Sequence, residues 1–189
     1  VETRPIKGTA RRSMNEHEDK ALAEALLASE KDRAENTMIV DLMRNDLSKV
    51  CEPDSVVVTQ LCGLETYATV HHLVSVIRGQ LQHAFDAMDL LQATFPGGSI
   101  TGAPKVRAME IIHELEPHAR GVYCGCIGFI GFDGNMDTSI VIRTLVAKGQ
   151  DVFYQAGGGI VADSVPVQEY QESLTKAQAI RALLLGETP

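Results

Sequence analysis

The chain has 189 residues, which is enough to bury a core and fits a single domain or part of a larger one. Hydrophobic residues make up 44% of the sequence and charged residues 22%, a composition that excludes a disordered or fibrous protein. The 25 acidic and 17 basic residues give a formal net charge of −8. The chain therefore lacks the positive charge on which most nucleic-acid binders depend, and we expect no nucleic-acid partner.

Cysteine usage and hydropathy predict the cellular setting. The four cysteines, Cys51, Cys62, Cys124 and Cys126, follow no secretory leader and lack the spacing of a disulfide framework. Cys124 and Cys126 are closer together than a usual zinc-binding pair, and no second pair completes a tetrahedron. No apolar run approaches the roughly 18 residues needed to cross a bilayer. We expect a reduced, cytoplasmic protein without membrane association.

The first half of the chain predicts a helix followed by antiparallel strands. Residues 12–36 become helical after a polar start, which indicates one surface helix. The apolar run Met38–Leu42 fits either a buried strand or the start of a helix. Between residues 55 and 81, two runs rich in β-branched residues and separated by Gly63 predict antiparallel strands.

The second half predicts two helices, a meander and a closing helix. Residues 85–95 have helical spacing and end at Pro96-Gly97-Gly98, and another helix occupies residues 104–117. From 121 to 155, apolar runs joined by Asp-Gly and Lys-Gly turns indicate an antiparallel meander. Residues 167–185 form an amphipathic helix. Strands and helices mix without regular alternation, so we predict an α+β fold built on antiparallel sheets.

Three carboxylates are candidates for a cation site. Glu169, Glu172 and Lys176 lie three and four residues apart, so they share one face of the last helix. An exposed helix with an ordinary Glu to Lys pair explains the same spacing, and both interpretations stay open. Glu35, which precedes the apolar Met38–Leu42 run, is the candidate third carboxylate. Carboxylates with water-filled positions suit magnesium (Mg2+) better than zinc.

Two glycine-rich segments can approach an anion. Residues 157–159 expose backbone amides, and Arg143 on the preceding strand can clamp a carboxylate, although a tight strand exit with a solvated arginine is equally consistent. The segment GGSITGAPK has the glycine spacing of a phosphate-binding loop, but Ala103 replaces the required lysine and no serine or threonine follows it. Its amides, with the hydroxyls of Ser99 and Thr101, can still bind an anion at a helix N-terminus.

Two further positions carry reactive side chains. His71 and His72 are neighbours in a strand-like run, so their side chains point to opposite faces and one of them is expected to be structural. Lys7 in PIKGT lies in a restricted, exposed backbone setting, where a lysine amine can act as a nucleophile. A solvent-facing lysine without a role is the alternative.

Taken together, these segments resemble the chorismate-binding family, which includes anthranilate synthase component I, aminodeoxychorismate synthase component I, isochorismate synthase and salicylate synthase. The resemblance runs almost end to end. It implies a fold in which antiparallel sheets pack as a sandwich with flanking helices. It rests on the motifs PIKGTARR, AENTMIVDLMRNDL, TVHHLVSVIRG, FPGGSITGAPKVRAMEII, CGCIGFIGFDGNMDTSIVIRT, QAGGGIVADSVPVQEYQES and KAQAI.

The resemblance implies a role for each candidate residue. Glu35 and Glu172 would hold Mg2+, with Glu169 close by or acting through water, and the ion would bind the ring carboxylate of chorismate. His72 would lie beside the departing hydroxyl. The remaining positions would bind substrate: Lys176 with amides around Gly157 and Gly159 at the ring carboxylate, Arg143 and Tyr123 at the enolpyruvyl carboxylate, and Ser99 and Thr101 on the floor of the site.

Lys7 implies which reaction of the family is catalysed. Anthranilate synthases look like PIAGT at this point, whereas aminodeoxychorismate synthases look like PIKGT, as this chain does. In the latter enzymes the lysine is proposed to attack the ring and expel the hydroxyl, after which ammonia displaces the lysine to give 4-amino-4-deoxychorismate. Ammonia would come from a separate glutamine amidotransferase subunit. Anthranilate synthase and isochorismate synthase, which share the scaffold and the magnesium site, are the alternatives.

The chain also departs from the family pattern. An acidic residue in a motif resembling SPERF and the pocket where relatives hold tryptophan would lie upstream of Val1, so we expect residues 1–189 to be the C-terminal part of the catalytic domain. The family fold draws strands from both halves, so such a piece would leave sheet edges unpaired and open to dimerisation. We expect little turnover from it alone. A noncatalytic fragment that binds only a ligand or a partner is the alternative of another class.

Overall fold

Helices and antiparallel strands are combined in both parts of the molecule, which confirms the predicted α+β class. The computed structural model describes residues 1–162 and 164–186. The chain divides into two units, Val1–Leu115 and Glu116–Pro189.

A four-stranded antiparallel sheet forms the centre of the first unit. Its central strand, β4 (Val70–Arg78), pairs along most of its length with β3 (Val57–Thr66). It also pairs with β1 (Glu2–Thr3) near its end and with β2 (Ile6–Arg11) near its start. A strand that is covered on both faces carries a continuous apolar run instead of an alternating one. Accordingly, five consecutive β4 residues are buried: Leu73, Val74, Ser75, Val76 and Ile77.

Gly63 does not separate the two predicted strands. It lies inside β3, next to a bulge at which Cys62 has a φ of 50° and donates its N–H to Ser75 Oγ at 2.9 Å. The chain reverses at residues 67–69 instead. A glycine within a strand often marks a bulge, so the prediction of two antiparallel strands is confirmed while the position of the turn was wrong.

The predicted single helix over residues 12–36 is wrong, because this region contributes to two helices. Helix α1 spans Glu16–Ala28 and α2 spans Glu30–Leu47. Only Ser29 separates them, and its hydroxyl accepts a hydrogen bond from the N–H of Asp32 at 3.3 Å, which caps α2. Periodicity does not reveal a break of one residue, because helical spacing resumes at once.

The apolar run Met38–Leu42 lies in the middle of α2, which settles the open alternative in favour of a helix. It provides much of the surface with which α2 packs on the central sheet, since Ile39, Val40 and Leu42 are buried. A core cluster joins the helix to β4 and to the segment that follows α2: Val40, Leu47, Cys51 and Ile77.

A buried polar network also joins α2 to β4. Asn36 and Ser75 have no exposed surface. Ser75 Oγ donates to Asn36 Oδ1 at 2.5 Å, and Asn36 Nδ2 donates to the Leu73 carbonyl at 3.2 Å. Because a buried polar group is costly when its partner is missing, these bonds favour one position of the helix along the strand.

The two predicted helices in the middle of the chain are confirmed. Helix α3 spans Ala87–Thr94, and α4 spans Lys105–Leu115. Asp86 starts α3 with a capping box, in which its carboxylate accepts backbone N–H groups while Asp89 accepts the N–H of Asp86. Between the helices, the glycine-rich segment contains a 3-10 turn at Gly98–Ile100.

The second unit contains two hairpins, so the predicted continuous meander is wrong. Strand β5 (Cys126–Ile130) pairs with β6 (Met136–Ile140), and β7 (Val146–Lys148) pairs with β8 (Asp151–Phe153). Among the described residues each pair forms a two-stranded sheet. The apolar run between the Asp-Gly and Lys-Gly turns was expected to form one strand. It is interrupted at Arg143, whose φ of 53° is incompatible with extended backbone.

The closing helix is confirmed as α5, Pro166–Leu185. Pro166 lies at its first turn, and Gly186 ends it in a left-handed conformation with a φ of 69°. None of the helices in the described part of the chain is long and apolar enough to cross a membrane.

We predict that Asn36→Ala lowers the free energy of unfolding by about 1–3 kcal/mol, because it leaves the buried Ser75 hydroxyl without its acceptor. Urea titration followed by circular dichroism measures this. The matched control is Asn45→Ala, the same change at an exposed position of α2, which should cost less than about 0.5 kcal/mol. Equal effects of the two substitutions would contradict the role of the buried network.

Candidate active site

Lys7 and Glu35 face each other in the first unit. A side chain at Gly8 would lie 3.0 Å from Asp32 Cβ, so glycine in β2 permits the close approach of this strand to α2. Lys7 Nζ is 3.8 Å from Glu35 Oε2, and the two side chains are 21% and 18% exposed. Lys31 Nζ lies 4.0 Å from the other carboxylate oxygen, but its side chain is 60% exposed. Lys7 is therefore paired and largely covered, where the sequence suggested an exposed setting.

His72 is oriented by contacts within the sheet. Its Nδ1 lies 2.9 Å from the hydroxyl of Thr9, its cross-strand partner on β2. The ring of Tyr67 meets it edge-on, with the ring centroids 5.6 Å apart. Sequence reasoning missed Thr9, although Thr9 belongs to the same PIKGT motif as Lys7.

His71 is the structural member of the histidine pair. It is buried, with Nδ1 at 2.9 Å from Thr66 Oγ1 and Nε2 at 3.1 Å from Asp19 Oδ1. Asp19 also accepts hydrogen bonds from the Arg12 side chain and the Ser13 N–H, and these donors hold the pKa of Asp19 well below its usual range. The group joins α1 to β4, on the face opposite to His72.

Ser99 and Thr101 lie in the glycine-rich loop between α3 and α4, and both are half-buried. Thr101 Oγ1 donates to the Gly97 carbonyl at 3.0 Å, so its oxygen can accept a hydrogen bond while its proton is already used. Gly98 is buried, and a side chain there would lie 3.2 Å from Leu42 Cβ. The loop therefore packs directly against α2.

Glu169, Glu172 and Lys176 converge on Gly158 in the second unit. A side chain at Gly158 would lie 3.3 Å from Glu169 Oε2 and 3.5 Å from both Glu172 Oε1 and Lys176 Nζ. Lys176 Nζ is 2.5 Å from Glu172 Oε1 and donates to the Gly157 carbonyl at 3.2 Å. The three charged side chains thus share a face of α5, as their spacing predicts, and glycine leaves the space in front of them open.

Glu169 is only half satisfied by hydrogen bonds. Its Oε1 accepts from Ser164 Oγ at 2.6 Å, and the Ser164 hydroxyl in turn accepts the N–H of Val161 at 3.0 Å. Its Oε2 is buried and has no hydrogen-bond partner among the described residues. An unpaired buried carboxylate oxygen is costly unless a cation, an ordered water or a donor from a ligand occupies its open side.

This donor set fits a hard cation such as Mg2+, which prefers carboxylate oxygen ligands and retains water. Within residues 1–162 and 164–186, no group of three or more His, Cys, Asp and Glu side chains is arranged to hold a metal ion. Glu169 and Glu172 supply two carboxylates of the predicted set, and the participation of Glu35 stays a prediction.

Tyr123 and Arg143 occupy different settings within the second unit. A side chain at Gly157 would lie 3.2 Å from Tyr123 Oη, which places this hydroxyl beside the glycine segment. Burial raises the pKa of Tyr123 to about 12, so the hydroxyl keeps its proton near neutral pH and can donate it to an anion. Arg143 is exposed in the link between β6 and β7, which corrects its predicted position on a strand. Gly159 is also exposed.

The structure brings the predicted residues together within each unit. The first unit pairs Lys7 with Glu35. The second unit groups the α5 side chains around Gly158, the middle residue of the glycine segment 157–159 that the sequence analysis identified. Ser164 was also missed, because nothing in its local pattern connects its hydroxyl to Glu169. The predicted residues of the first unit are Lys7, Glu35, His72, Ser99 and Thr101, and those of the second are Tyr123, Arg143, Gly157, Gly159, Glu169, Glu172 and Lys176.

Several named proteins are similar to this chain in sequence. Aminodeoxychorismate synthase component 1 of Escherichia coli (strain K12) is 58% identical over 180 residues, which cover 95% of this chain and 40% of that protein. Anthranilate synthase component 1 of Aquifex aeolicus (strain VF5) is 53% identical over 188 residues, which cover 99% of this chain and 38% of that protein. The chain thus spans about 40% of the length of these relatives.

The fold and the family agree with these similarities. The crystal structure of anthranilate synthase component I from Streptococcus pneumoniae TIGR4 superposes with a TM-score of 0.84 at 48% identity, covering 94% of this chain and 39% of that one. A family model described as chorismate binding enzyme matches residues 1–182. The chain belongs to the family of chorismate binding enzymes.

Proposed function

We propose that this chain is the chorismate-aminating part of an aminodeoxychorismate synthase, which converts chorismate and ammonia into 4-amino-4-deoxychorismate and water. Overall identity does not decide between the reactions of the family, because relatives with different names match similarly well. The observation that supports amination is Lys7, which stands in PIKGT with a side chain only 21% exposed and 3.8 Å from Glu35.

The proposed chemistry uses Lys7 as a nucleophile that is later displaced. In its deprotonated form, Lys7 Nζ forms a bond to the ring of chorismate while the C–O bond of the ring hydroxyl breaks. The hydroxyl takes one proton and leaves as water. Ammonia then forms a bond to the carbon that lost the hydroxyl, and Lys7 departs as a free amine. The ammonium group that results gives up one proton, so the cycle consumes no net acid.

His72 is proposed to donate the proton that the leaving hydroxyl takes and to recover it from the new ammonium group. When both ring nitrogens are protonated, Nδ1–H donates a hydrogen bond to Thr9 Oγ1, which lies 2.9 Å away. The Nε2–H group is then available to protonate the departing hydroxyl. The neutral ring then takes the proton back from the new ammonium group. Thr9 therefore has the role of orienting the imidazole, a role that matches its position opposite His72 in the sheet.

The second unit is proposed to bind the carboxylates of chorismate. Glu169 and Glu172 would hold Mg2+, with Glu35 as the third ligand predicted from the sequence. When bound, the ion would neutralise the ring carboxylate and stabilise charge near the ring. The remaining roles are those of hydrogen-bond donors and a cation: Lys176 with amides around Gly157 and Gly159 at the ring carboxylate, Arg143 and Tyr123 at the enolpyruvyl carboxylate, and Ser99 and Thr101 on the floor of the site.

Ammonia is proposed to come from a glutamine amidotransferase subunit. The relatives are named as component 1 of their synthases, and such a name implies a second component. The product would serve para-aminobenzoate and folate synthesis in the cytoplasm. Formation of anthranilate is the second candidate, because a relative with 53% identity is named anthranilate synthase component 1.

We predict that Lys7→Ala lowers the rate of 4-amino-4-deoxychorismate formation by about 100-fold or more, because it removes a group that acts in the chemical step. Products are separated by chromatography after incubation with chorismate, Mg2+ and an ammonium salt, both for this chain and for a form extended upstream. The matched control is Lys31→Ala, which removes the exposed cation on the same Glu35 and should retain most of the activity. Equal losses in both variants, or anthranilate as the product, would refute the proposal.

We predict that Glu169→Gln weakens Mg2+ binding by about tenfold or more, because the carboxylate with the unpaired oxygen is lost. Isothermal titration with MgCl2 measures the dissociation constant without any need for turnover. Glu114→Gln, the same change at an exposed residue of α4, is the control and should leave the constant unchanged. The metal assignment fails if wild type shows no binding or if the two variants bind alike.

A further inference from the structure

Lys105 joins the two ends of the glycine-rich loop that carries Ser99 and Thr101. It is the first residue of α4, immediately after the loop. Its Nζ donates to the Pro96 carbonyl at 2.7 Å and to the Thr94 carbonyl at 3.2 Å, at the end of α3. The segment 97–104 is therefore closed at its base by one side chain.

The same ammonium group fixes the loop to α2. Lys105 Nζ lies 2.5 Å from Asp46 Oδ2, and the two side chains are 14% and 3% exposed. The three protons of the ammonium thus have three acceptors, on α2, on α3 and in the loop. Removing one partner of a buried ion pair is destabilising, because the other charge loses its compensation. We therefore expect loss of the Lys105 ammonium group to release the loop.

Hydrogen bonds within the loop set its shape but not its location. Thr101 Oγ1 and the Thr101 N–H both bond to carbonyls of the loop itself, at Gly97 and Gly98. The contact of Gly98 with Leu42 and the bonds of Lys105 connect the loop to the rest of the first unit. Lys105 is therefore one of the residues that connect the loop carrying Ser99 and Thr101 to α2.

Lys105 does not act as the lysine of a phosphate-binding loop does. That lysine directs its ammonium group at the bound anion. Here the ammonium group is occupied by Asp46 and by two backbone carbonyls, so it has no proton left to offer to a ligand. Its influence on a bound anion has to pass through the backbone amides and hydroxyls of the loop.

We propose that Lys105 is a positioning residue, which holds the loop 97–104 so that Ser99 and Thr101 meet the substrate. This inference rests on the proposed function, because it takes that loop as part of the chorismate site. Lys105 touches neither substrate nor reacting atoms, and its effect is on the geometry of residues that do.

The chain supplies a matched pair of variants. Lys105→Met removes the ammonium group and retains an unbranched side chain. Lys49→Met makes the same change at the other lysine bonded to Asp46, where Nζ lies 2.9 Å from Oδ1 and the side chain is 52% exposed. Lys49 lies outside the loop. Comparing the two variants therefore distinguishes the effect of removing a cation from Asp46 from the effect of releasing the loop.

Hydrogen exchange measures the release directly. We expect Lys105→Met to increase amide exchange in residues 97–102 and to leave exchange in β4 unchanged, whereas Lys49→Met changes neither segment. If Lys105→Met unfolds, Lys105→Arg is used instead, because arginine keeps the charge but has no single nitrogen that can donate to all three acceptors. Unchanged loop exchange in the folded variant would overturn the proposal.

Kinetics test whether the position of the loop matters to the substrate. The rate of chorismate consumption is measured irrespective of the product formed. The assay uses the full-length protein together with any subunit that co-purifies with it. We expect Lys105→Met to lower kcat/KM by about 10–100-fold, the usual effect of losing a residue that orients a functional group, and Lys49→Met to stay within about twofold of wild type. Equal kcat/KM in the two variants would overturn the positioning role. Absence of consumption by wild type would refute the proposed function alone, because loop exchange still tests the anchoring by Lys105.

Discussion

The packing of α2 on β4 is the constraint on which the first unit depends. The helix carries two adjacent stripes with different tasks. Asn36, Val40 and Leu47 recur at intervals of four and seven residues and contact β4 and its surroundings. A second stripe lies on a neighbouring face of the helix and consists of Glu35, Leu42 and Asp46. These residues contact Lys7, the glycine-rich loop and Lys105, respectively. A shift of the helix would therefore disturb the proposed nucleophile and the loop together. The buried Asn36 and Ser75 pair makes such a shift unfavourable, because either residue would lose its partner.

The second unit presents two carboxylates that are only partly compensated by neighbouring groups. Lys176 compensates Glu172, and Ser164 satisfies one oxygen of Glu169, but the other oxygen is left buried and unpaired among the described residues. Such an atom is normally completed by an ion, a ligand or an ordered water. Gly158 is the reason that a ligand has room, because any larger residue would bring a side chain within about 3.5 Å of all three charged groups. The arrangement thus indicates binding of a cation or a donor more strongly than either carboxylate does alone.

Local patterns predicted the elements well and their interruptions poorly. The helices α3, α4 and α5 and the pairing of β3 with β4 follow from periodicity and turn residues. The break at Ser29 and the left-handed conformation of Arg143 are single-residue events that leave the surrounding pattern intact. Contacts between distant residues were out of reach altogether: Lys105 meets Asp46 across 59 positions, and neither residue stands out in its own segment. The candidate site residues came mainly from the resemblance to a family, whereas the pairing of Lys7 with Glu35 and the unpaired Glu169 oxygen depend on the three-dimensional structure.

The pairing of Lys7 with Glu35 bears on how the reactions of this family can differ. Both side chains are about four-fifths covered, so each charge depends on the other for compensation. Replacing Lys7 by alanine, as in the PIAGT pattern, would leave Glu35 with the exposed Lys31 as its neighbouring cation and would open space between β2 and α2. Lys7, which is proposed to determine the reaction, is therefore also an electrostatic and packing partner of α2. A change of reaction by substitution at this position alone would alter the surroundings of a proposed metal ligand, so we infer that an efficient switch requires compensating changes along α2.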